Sequence, residues 1–246
     1  MLSELAIQQP RRTDRITRRA PWGFLLHTTG SGILARAKKT SRSPIDVALE
    51  WYRRSQGDTG GQGENGYPWG GPGYLIGHHG EIHQLADDDV ETMHAGGPWR
   101  AQYLSGAWAS MCSPAVVKRW RAQWPGVPSP QHLFPGTSPN VPYVGCEMIP
   151  CGSGYGTPMA PGLRFSLAQH DAAILLGRDL AARHGWPASW ARTPRLVGHE
   201  DVQPMPYAAT GQGRYGRADS RGGIDPGWLR AAPYFDFEYV RHALAR

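Results

Sequence analysis

Three residues that lie far apart in the sequence, His27, His199 and Asp225, have side chains that could bind one catalytic metal ion. Each histidine ends a short apolar run, and Asp225 begins an Asp-Pro-Gly turn. A catalytic zinc site needs three nitrogen, oxygen or sulfur donors and one open position for water. The alternative is that these histidines are structural, because the chain has ten histidines and no local HExxH or CxxC motif.

Both histidines follow segments that read as buried strands. Residues 22–27 form an apolar run that ends in His27 and is followed by a glycine-rich turn. Leu196, Val197 and Gly198 lead into His199 in the same way. Short apolar runs bounded by turn residues are typical of buried strands, so we expect both imidazoles at strand ends, facing a pocket.

The middle of the chain predicts a helix, a hairpin and a further helix. Ser43 is a good N-cap with proline after it, and the helix that it begins is expected to end near Gly57. Ile45, Leu49 and Tyr52 share one face of that helix at helical spacing, so we expect them in the core. Residues 73–77 and 81–85 flank a tight turn and predict a β-hairpin. One more helix is expected at about residues 114–124.

The last elements complete a mixed fold. A strand is predicted over residues 141–149, with Val144, Cys146 and Met148 on one face and Glu147 on the other. The clearest helix begins at Ser166, where Gln169 completes a capping box, and it ends at Gly185; a final helix is expected at about 235–244. This order predicts an α/β fold, in which one domain has a central mixed β-sheet flanked by helices.

Composition excludes some classes of protein. The chain has 246 residues, 40% of them hydrophobic, and a net charge of +6. Arginine is scattered and forms no basic helix or stacking motif, so we expect no nucleic-acid partner but an anionic polymer such as bacterial cell wall. The three cysteines favour synthesis in a reducing compartment, and whether Cys146 and Cys151 pair is left open.

Several short motifs occur in an order that resembles one known family. It is the family of zinc-dependent N-acetylmuramoyl-L-alanine amidases, which includes peptidoglycan recognition proteins and phage amidase endolysins. The resemblance spans about residues 20–230. The motifs that carry it are Leu25-Leu26-His27-Thr28-Thr29-Gly30, Gly73-Tyr74-Leu75-Ile76, His94-Ala95-Gly96, Gly145-Cys146-Glu147, Gly198-His199-Glu200-Asp201 and Asp225-Pro226-Gly227.

The resemblance implies a role for each of these positions. His27, His199 and Asp225 match the family's zinc ligands. Glu147 matches the acidic residue that activates water, although it could also be a surface or structural glutamate. Tyr74 and His94 match positions that line the cleft. Family members cleave the amide between N-acetylmuramic acid and L-alanine, and we expect aromatic residues of the loops, Trp69 and Trp99, to contact sugar or peptide.

The resemblance also implies the domain organisation. Residues 1–20 would form a basic N-terminal arm and residues 21–246 a monomeric amidase domain, with loop insertions at about 98–140 and 203–224. The N-terminal residues contain no apolar run, so we expect neither a signal peptide nor membrane insertion. Synthesis would then be cytoplasmic, and action on the cell wall or in the periplasm would require release by a holin or a secretion system.

Two positions depart from the family's pattern. His199 and Asp225 are 26 residues apart, farther than in many members, and the extra residues are expected to form a flap. The family often has lysine two residues before the aspartate, where this chain has Gly223. This leaves open whether His94 or an arginine of the insertion stabilises developing negative charge.

Two other functions remain compatible with the sequence. The first is a module of the same fold that binds peptidoglycan or muropeptides without cutting them. The second is a zinc hydrolase that acts on another amide. The sequence does not choose between a phage endolysin, an antibacterial effector and a cytoplasmic recycling enzyme.

Overall fold

The computed structural model describes residues 4–8, 20–29, 31–55, 71–90, 92, 114–134, 140–150, 165–202 and 235–246. Within these ranges, six strands form one mixed sheet with helices on both of its faces. The predicted α/β fold class is therefore confirmed.

The sheet combines a parallel centre with an antiparallel hairpin. Its strands in the described parts of the chain are β1 Ile7–Gln8, β2 Gly23–Thr28, β3 Tyr74–Ile76, β4 Ile82–Gln84, β5 Tyr143–Met148 and β6 Leu196–Gly198. Their spatial order is β1-β4-β3-β5-β2-β6. The four neighbours β3, β5, β2 and β6 run parallel, whereas β4 is antiparallel to β3 and completes the predicted hairpin. Four strand ends therefore meet at one edge of the sheet.

Helices connect these strands. The described helices are α1 Ser31–Thr40, α2 Pro44–Ser55, α3 Pro114–Gln123, α4 Pro130–Leu133, α5 Leu167–Arg183, α6 His199–Val202 and α7 Phe237–Leu244. The capping box of α5 is confirmed, because Gln169 N–H donates to Ser166 Oγ (3.1 Å) and Ser166 N–H donates to Gln169 Oε1 (3.0 Å). Gly185 adopts a positive φ of 61° just beyond that helix, as its predicted stop requires. None of the helices in these ranges is long and apolar enough to cross a bilayer.

The two faces of the sheet bury different clusters. Leu75 packs against α1 and α2, and Leu25 and Val197 pack against tryptophans of α3 and the residues after it. We call this side the α1–α3 face. The residues that alternate with these, such as Phe24 and Cys146, pack against α5 and α7 on the side we call the α5–α7 face. Cys146 is a free, buried thiol, and Cys151 lies outside the described residues.

Several of the described elements were not predicted. Residues 31–40 form α1, although Ser31 and Gly32 read as part of a turn, and residues 130–133 and 199–202 form α4 and α6. Ile7–Gln8 forms a short strand parallel to β4, in a region for which the sequence predicts no element. Two exposed residues carry too little pattern to be recognised, since this strand exists only through its pairing with β4. Whether residues 1–20 otherwise form a separate arm stays a prediction.

Candidate active site at the carboxyl end of the sheet

The site begins with the register of the parallel strands. His27 of β2 lies opposite Glu147 of β5, and Glu147 lies opposite Leu75 of β3. Residues that are paired across parallel strands point to the same side of the sheet. His27 and Glu147 therefore share the α1–α3 face, close to the carboxyl ends of their strands, where open α/β sheets bind ligands.

His199 joins this row from the neighbouring strand. Gly198, the last residue of β6, pairs with Leu26, and the chain then turns into α6, whose first residue is His199. The rings of His27 and His199 lie side by side, with centroids 4.1 Å apart and planes inclined by 49°. His27 is buried and His199 is half-buried. Two residues separated by 172 positions in the sequence are thus brought into contact, and their role as metal ligands stays a prediction.

The imidazole pair consists of two of the three residues that the sequence predicts as zinc ligands. Neutral imidazole is a common zinc ligand, and two adjacent rings on a sheet edge fit part of a site completed by one carboxylate and water. No group of three histidine, cysteine, aspartate or glutamate residues close enough to hold a metal occurs in the described ranges. Asp225, the third predicted donor, lies outside those ranges, so its place in the site stays a prediction.

Glu147 is held by a residue that sequence reasoning assigned to the core. Tyr52 of α2 donates a hydrogen bond from its hydroxyl to Glu147 Oε2. The tyrosine is only 8% exposed, and its ring packs against Gly71, where a Cβ atom would lie 2.8 Å from Tyr52 Cδ1. Helical spacing identified Tyr52 as a core residue. A polar group at the tip of a core-facing side chain was the signal that it has a buried partner.

Tyr74 is the one described candidate that lies elsewhere. It is fully buried on the α5–α7 face, where its hydroxyl donates to Asp88 Oδ1 (2.6 Å) and accepts from Arg183 Nη2 (3.1 Å). Burial raises the pKa of its hydroxyl, against the lowering effect of Arg183. The substrate contact predicted for Tyr74 stays a prediction, and this position does not favour it.

The remaining candidates fall on parts of the chain that the structure does not describe. They are His94, Trp69, Trp99 and the proposed flap within residues 203–224. Their predicted roles in stabilising negative charge, binding substrate and covering the cleft stay predictions. The described site therefore consists of the two imidazoles, Glu147 and the side chains that hold them.

A buried carboxylate supports the turn that carries His199. Asp201 is fully buried, and its Oδ2 accepts a hydrogen bond from the N–H of Gly198 at 2.9 Å. Its other oxygen forms an ion pair with Arg119 of α3. The sequence alone indicates no role for Asp201 or Arg119, because their contact joins segments that are 82 residues apart.

Together, fold and site define an α/β protein with two histidines and a glutamate at the carboxyl edge of its sheet. The family model described as N-acetylmuramoyl-L-alanine amidase matches residues 17–214, which is most of the chain. The chain therefore belongs to this amidase family. The matched range includes His27, Glu147 and His199 and ends before Asp225.

Among solved structures, the chain is similar to an endolysin N-acetylmuramoyl-L-alanine amidase from Clostridium intestinale URNW. The two share 13% sequence identity with a TM-score of 0.33, over 78% of this chain and 81% of the other. No curated protein matches the chain significantly.

Proposed function

We propose that this chain is a zinc-dependent amidase that hydrolyses the bond between N-acetylmuramic acid and L-alanine in bacterial peptidoglycan. The observation that carries the proposal is the contact between the His27 and His199 rings beside Glu147, in a chain that belongs to the amidase family. His27, His199 and Asp225 would hold the metal. Bound zinc supplies Lewis-acid activation of a water molecule and of the amide carbonyl.

Glu147 is the proposed general base and general acid. Its carboxylate accepts a proton from the water that attacks the amide carbonyl, and then delivers that proton to the amine of L-alanine as it leaves. The strand fixes its backbone beside His27, and the Tyr52 hydroxyl fixes one carboxylate oxygen. The second oxygen is the one proposed to exchange the proton.

The other proposed roles concern substrate and developing charge. His94 would donate to the carbonyl oxygen as negative charge builds on it. Trp69 and Trp99 would contact the sugar or the stem peptide, and the basic surface would favour an anionic wall. These assignments rest on the resemblance of the sequence to the family.

A digest of purified peptidoglycan tests the proposal. The expected products are stem peptides with a new free amine on L-alanine, identified by mass spectrometry, together with glycan strands that carry no peptide. Treatment with a chelator and the variant His199→Ala should each abolish this release. Persistence of the activity in both would reject the zinc mechanism.

The products also separate the rival functions. Glycan strands that are bound but uncut would identify a binding module. Cleavage within the stem peptide would identify a hydrolase of another amide. Either result would replace the proposed function.

A further inference from the structure

The turn that carries His199 is closed by a buried carboxylate. Gly198 precedes the histidine, Asp201 follows it by two residues, and the Gly198 N–H bond to Asp201 Oδ2 (2.9 Å) joins them. The backbone around His199 is thus enclosed in a hydrogen-bonded loop. A rotation of this segment that moved the imidazole away from His27 would have to break this bond.

Asp201 is itself fixed by a helix outside the sheet. Its Oδ1 pairs with Arg119 Nη2, and the carboxylate is fully buried while the arginine side chain is 13% exposed. A buried carboxylate requires such a partner, because an unpaired charge away from water is strongly unfavourable. The ion pair therefore links α3, within the segment predicted as an insertion, to the strand end that delivers His199.

A second arginine lies close to this pair. Arg241 of α7 is largely buried, its guanidinium group lies 5.5 Å from the ring centroid of Trp124, and it interacts electrostatically with both Asp201 and Arg119. Helices α3 and α7 thus each place an arginine within electrostatic range of this one carboxylate. Such an enclosed, charged arrangement restricts motion more than a solvent-exposed ion pair does, since exposed pairs are screened and mobile.

We propose that Asp201 and Arg119 are positioning residues that hold the His199 imidazole against that of His27 and thereby set the affinity of the site for zinc. The inference rests on the proposed function, which makes both histidines metal ligands. Residues that orient a metal ligand typically change metal affinity about 10- to 100-fold when they are replaced. Neither residue needs to touch metal or substrate to have this effect.

The double variant Arg119→Met/Asp201→Asn tests the inference by removing both charges of the ion pair at once, while Arg241 keeps its ion pair with Glu238. Asparagine can still accept the Gly198 N–H bond, so the variant removes the ion pair with little change in shape. We expect zinc affinity, measured by competition with a chromophoric chelator, to fall about 10- to 100-fold. Hydrogen–deuterium exchange of peptides that cover residues 196–202 should accelerate in the metal-free protein. If the double variant does not fold, Arg119→Gln/Asp201→Asn, which replaces both charges with neutral side chains that can still hydrogen-bond, provides the same two measurements.

A matched control lies on the opposite face of the sheet. Asp88 and Arg183 form an ion pair in which the aspartate is fully buried and the arginine is 13% exposed, the same exposures as in the Arg119–Asp201 pair. The variant Arg183→Met/Asp88→Asn should leave zinc affinity and the exchange of residues 196–202 unchanged. The conservative single variant Arg119→Lys keeps a positive charge beside Asp201. It should therefore retain most of the zinc affinity that Arg119→Met/Asp201→Asn loses.

The results separate two kinds of failure. If the wild-type protein binds zinc no more tightly than His199→Ala, the proposed function fails, and the inference fails with it. If wild-type binding depends on His199 but the folded Arg119→Met/Asp201→Asn protein binds zinc as tightly as the wild type, only the positioning role is overturned. An equal loss of affinity in the Arg183→Met/Asp88→Asn control would also overturn it, because the effect would then be a general one.

Discussion

Two buried polar clusters lie on opposite sides of the central sheet. One consists of Tyr74, Asp88 and Arg183 on the α5–α7 face, where Asp88 also contacts His184 Nε2 at 2.8 Å. The other is the candidate site, where Glu147 is held by Tyr52 on the α1–α3 face and Asp201 is held by Arg119.

The two clusters contain similar side chains but bond to different parts of the chain. The described bonds of Asp88 all come from side chains, so it joins the hairpin region to the end of α5. Asp201 instead binds the backbone N–H next to His199. Two buried ion pairs of equal exposure can therefore differ in role, because only one of them is bonded to the backbone of the candidate site. Variants of Glu147 and Tyr52 should therefore lower turnover, whereas a variant of Tyr74 should lower stability.

The largest expected effect is the loss of turnover in Glu147→Gln. The amide cannot accept a proton from water, and loss of a general base typically lowers the rate by about 10²–10⁴-fold. Release of stem peptide from peptidoglycan measures the rate, and circular dichroism checks the fold. The control is Glu81→Gln, which changes a half-buried glutamate in the loop of the hairpin, and equal losses in the two variants would show that Glu147 has no special role.

Tyr74→Phe tests whether the opposite cluster is structural. Loss of the hydroxyl removes a donor from buried Asp88 and an acceptor from Arg183, so we expect the free energy of unfolding to fall by about 1–3 kcal/mol. Denaturant titration measures this change. Tyr239→Phe, whose hydroxyl bonds Asp171 at the surface, should have little effect. If Tyr74→Phe instead abolishes turnover of the folded protein, the role implied by the family resemblance is correct.

Tyr52→Phe should slow turnover without preventing folding. Without its hydroxyl bond the Glu147 carboxylate is less well oriented, and a loss of about 1.4 kcal/mol in the transition state lowers kcat about tenfold. KM should change little, since Tyr52 is not proposed to touch substrate. The control is Tyr143→Phe, which removes a buried hydroxyl that donates to Pro194 O at 2.7 Å on the same face. Equal effects on kcat in both variants would contradict a specific role for Tyr52.

The smallest expected effect is on the reactivity of Cys146, which is adjacent to Glu147 but lies on the opposite face of the sheet. Glu147 is half-buried and faces the site, whereas Cys146 is fully buried among core side chains. Burial raises the pKa of the Cys146 thiol, and the charge of Glu147 raises it further, so little reactive thiolate forms. Iodoacetamide should leave Cys146 unmodified in the native protein and modify it after denaturation, as judged by peptide mapping. Rapid native modification would mean that this face opens readily.

Local patterns predicted the elements that depend on local contacts. Turn residues and side-chain periodicity predicted the capping box at Ser166, the hairpin of β3 and β4, and the helix that begins at Pro44. All three are confirmed. The same patterns placed His27 and His199 at strand ends. Their proximity was expected from the hypothesis of a shared metal ion and the family resemblance, whereas local patterns did not predict that β2 and β6 are parallel neighbours.

What the sequence could not reveal depends on contacts between distant segments. Tyr52 looked like an ordinary core residue until α2 was seen to pack over β5, and Asp201 had no assigned role until Arg119 was found beside it. The face on which Tyr74 lies was also hidden, since a three-residue strand buried on both sides has no alternation of polar and apolar residues.

The strand order has a consequence for the timing of activity during translation. β2, which carries His27, leaves the ribosome early but lies between β5 and β6, which are synthesised more than a hundred residues later. A nascent chain that stops before residue 199 cannot assemble the imidazole pair. Under the proposed function, a growing polypeptide would have no amidase activity until β6 and the residues that follow it have been synthesised and folded.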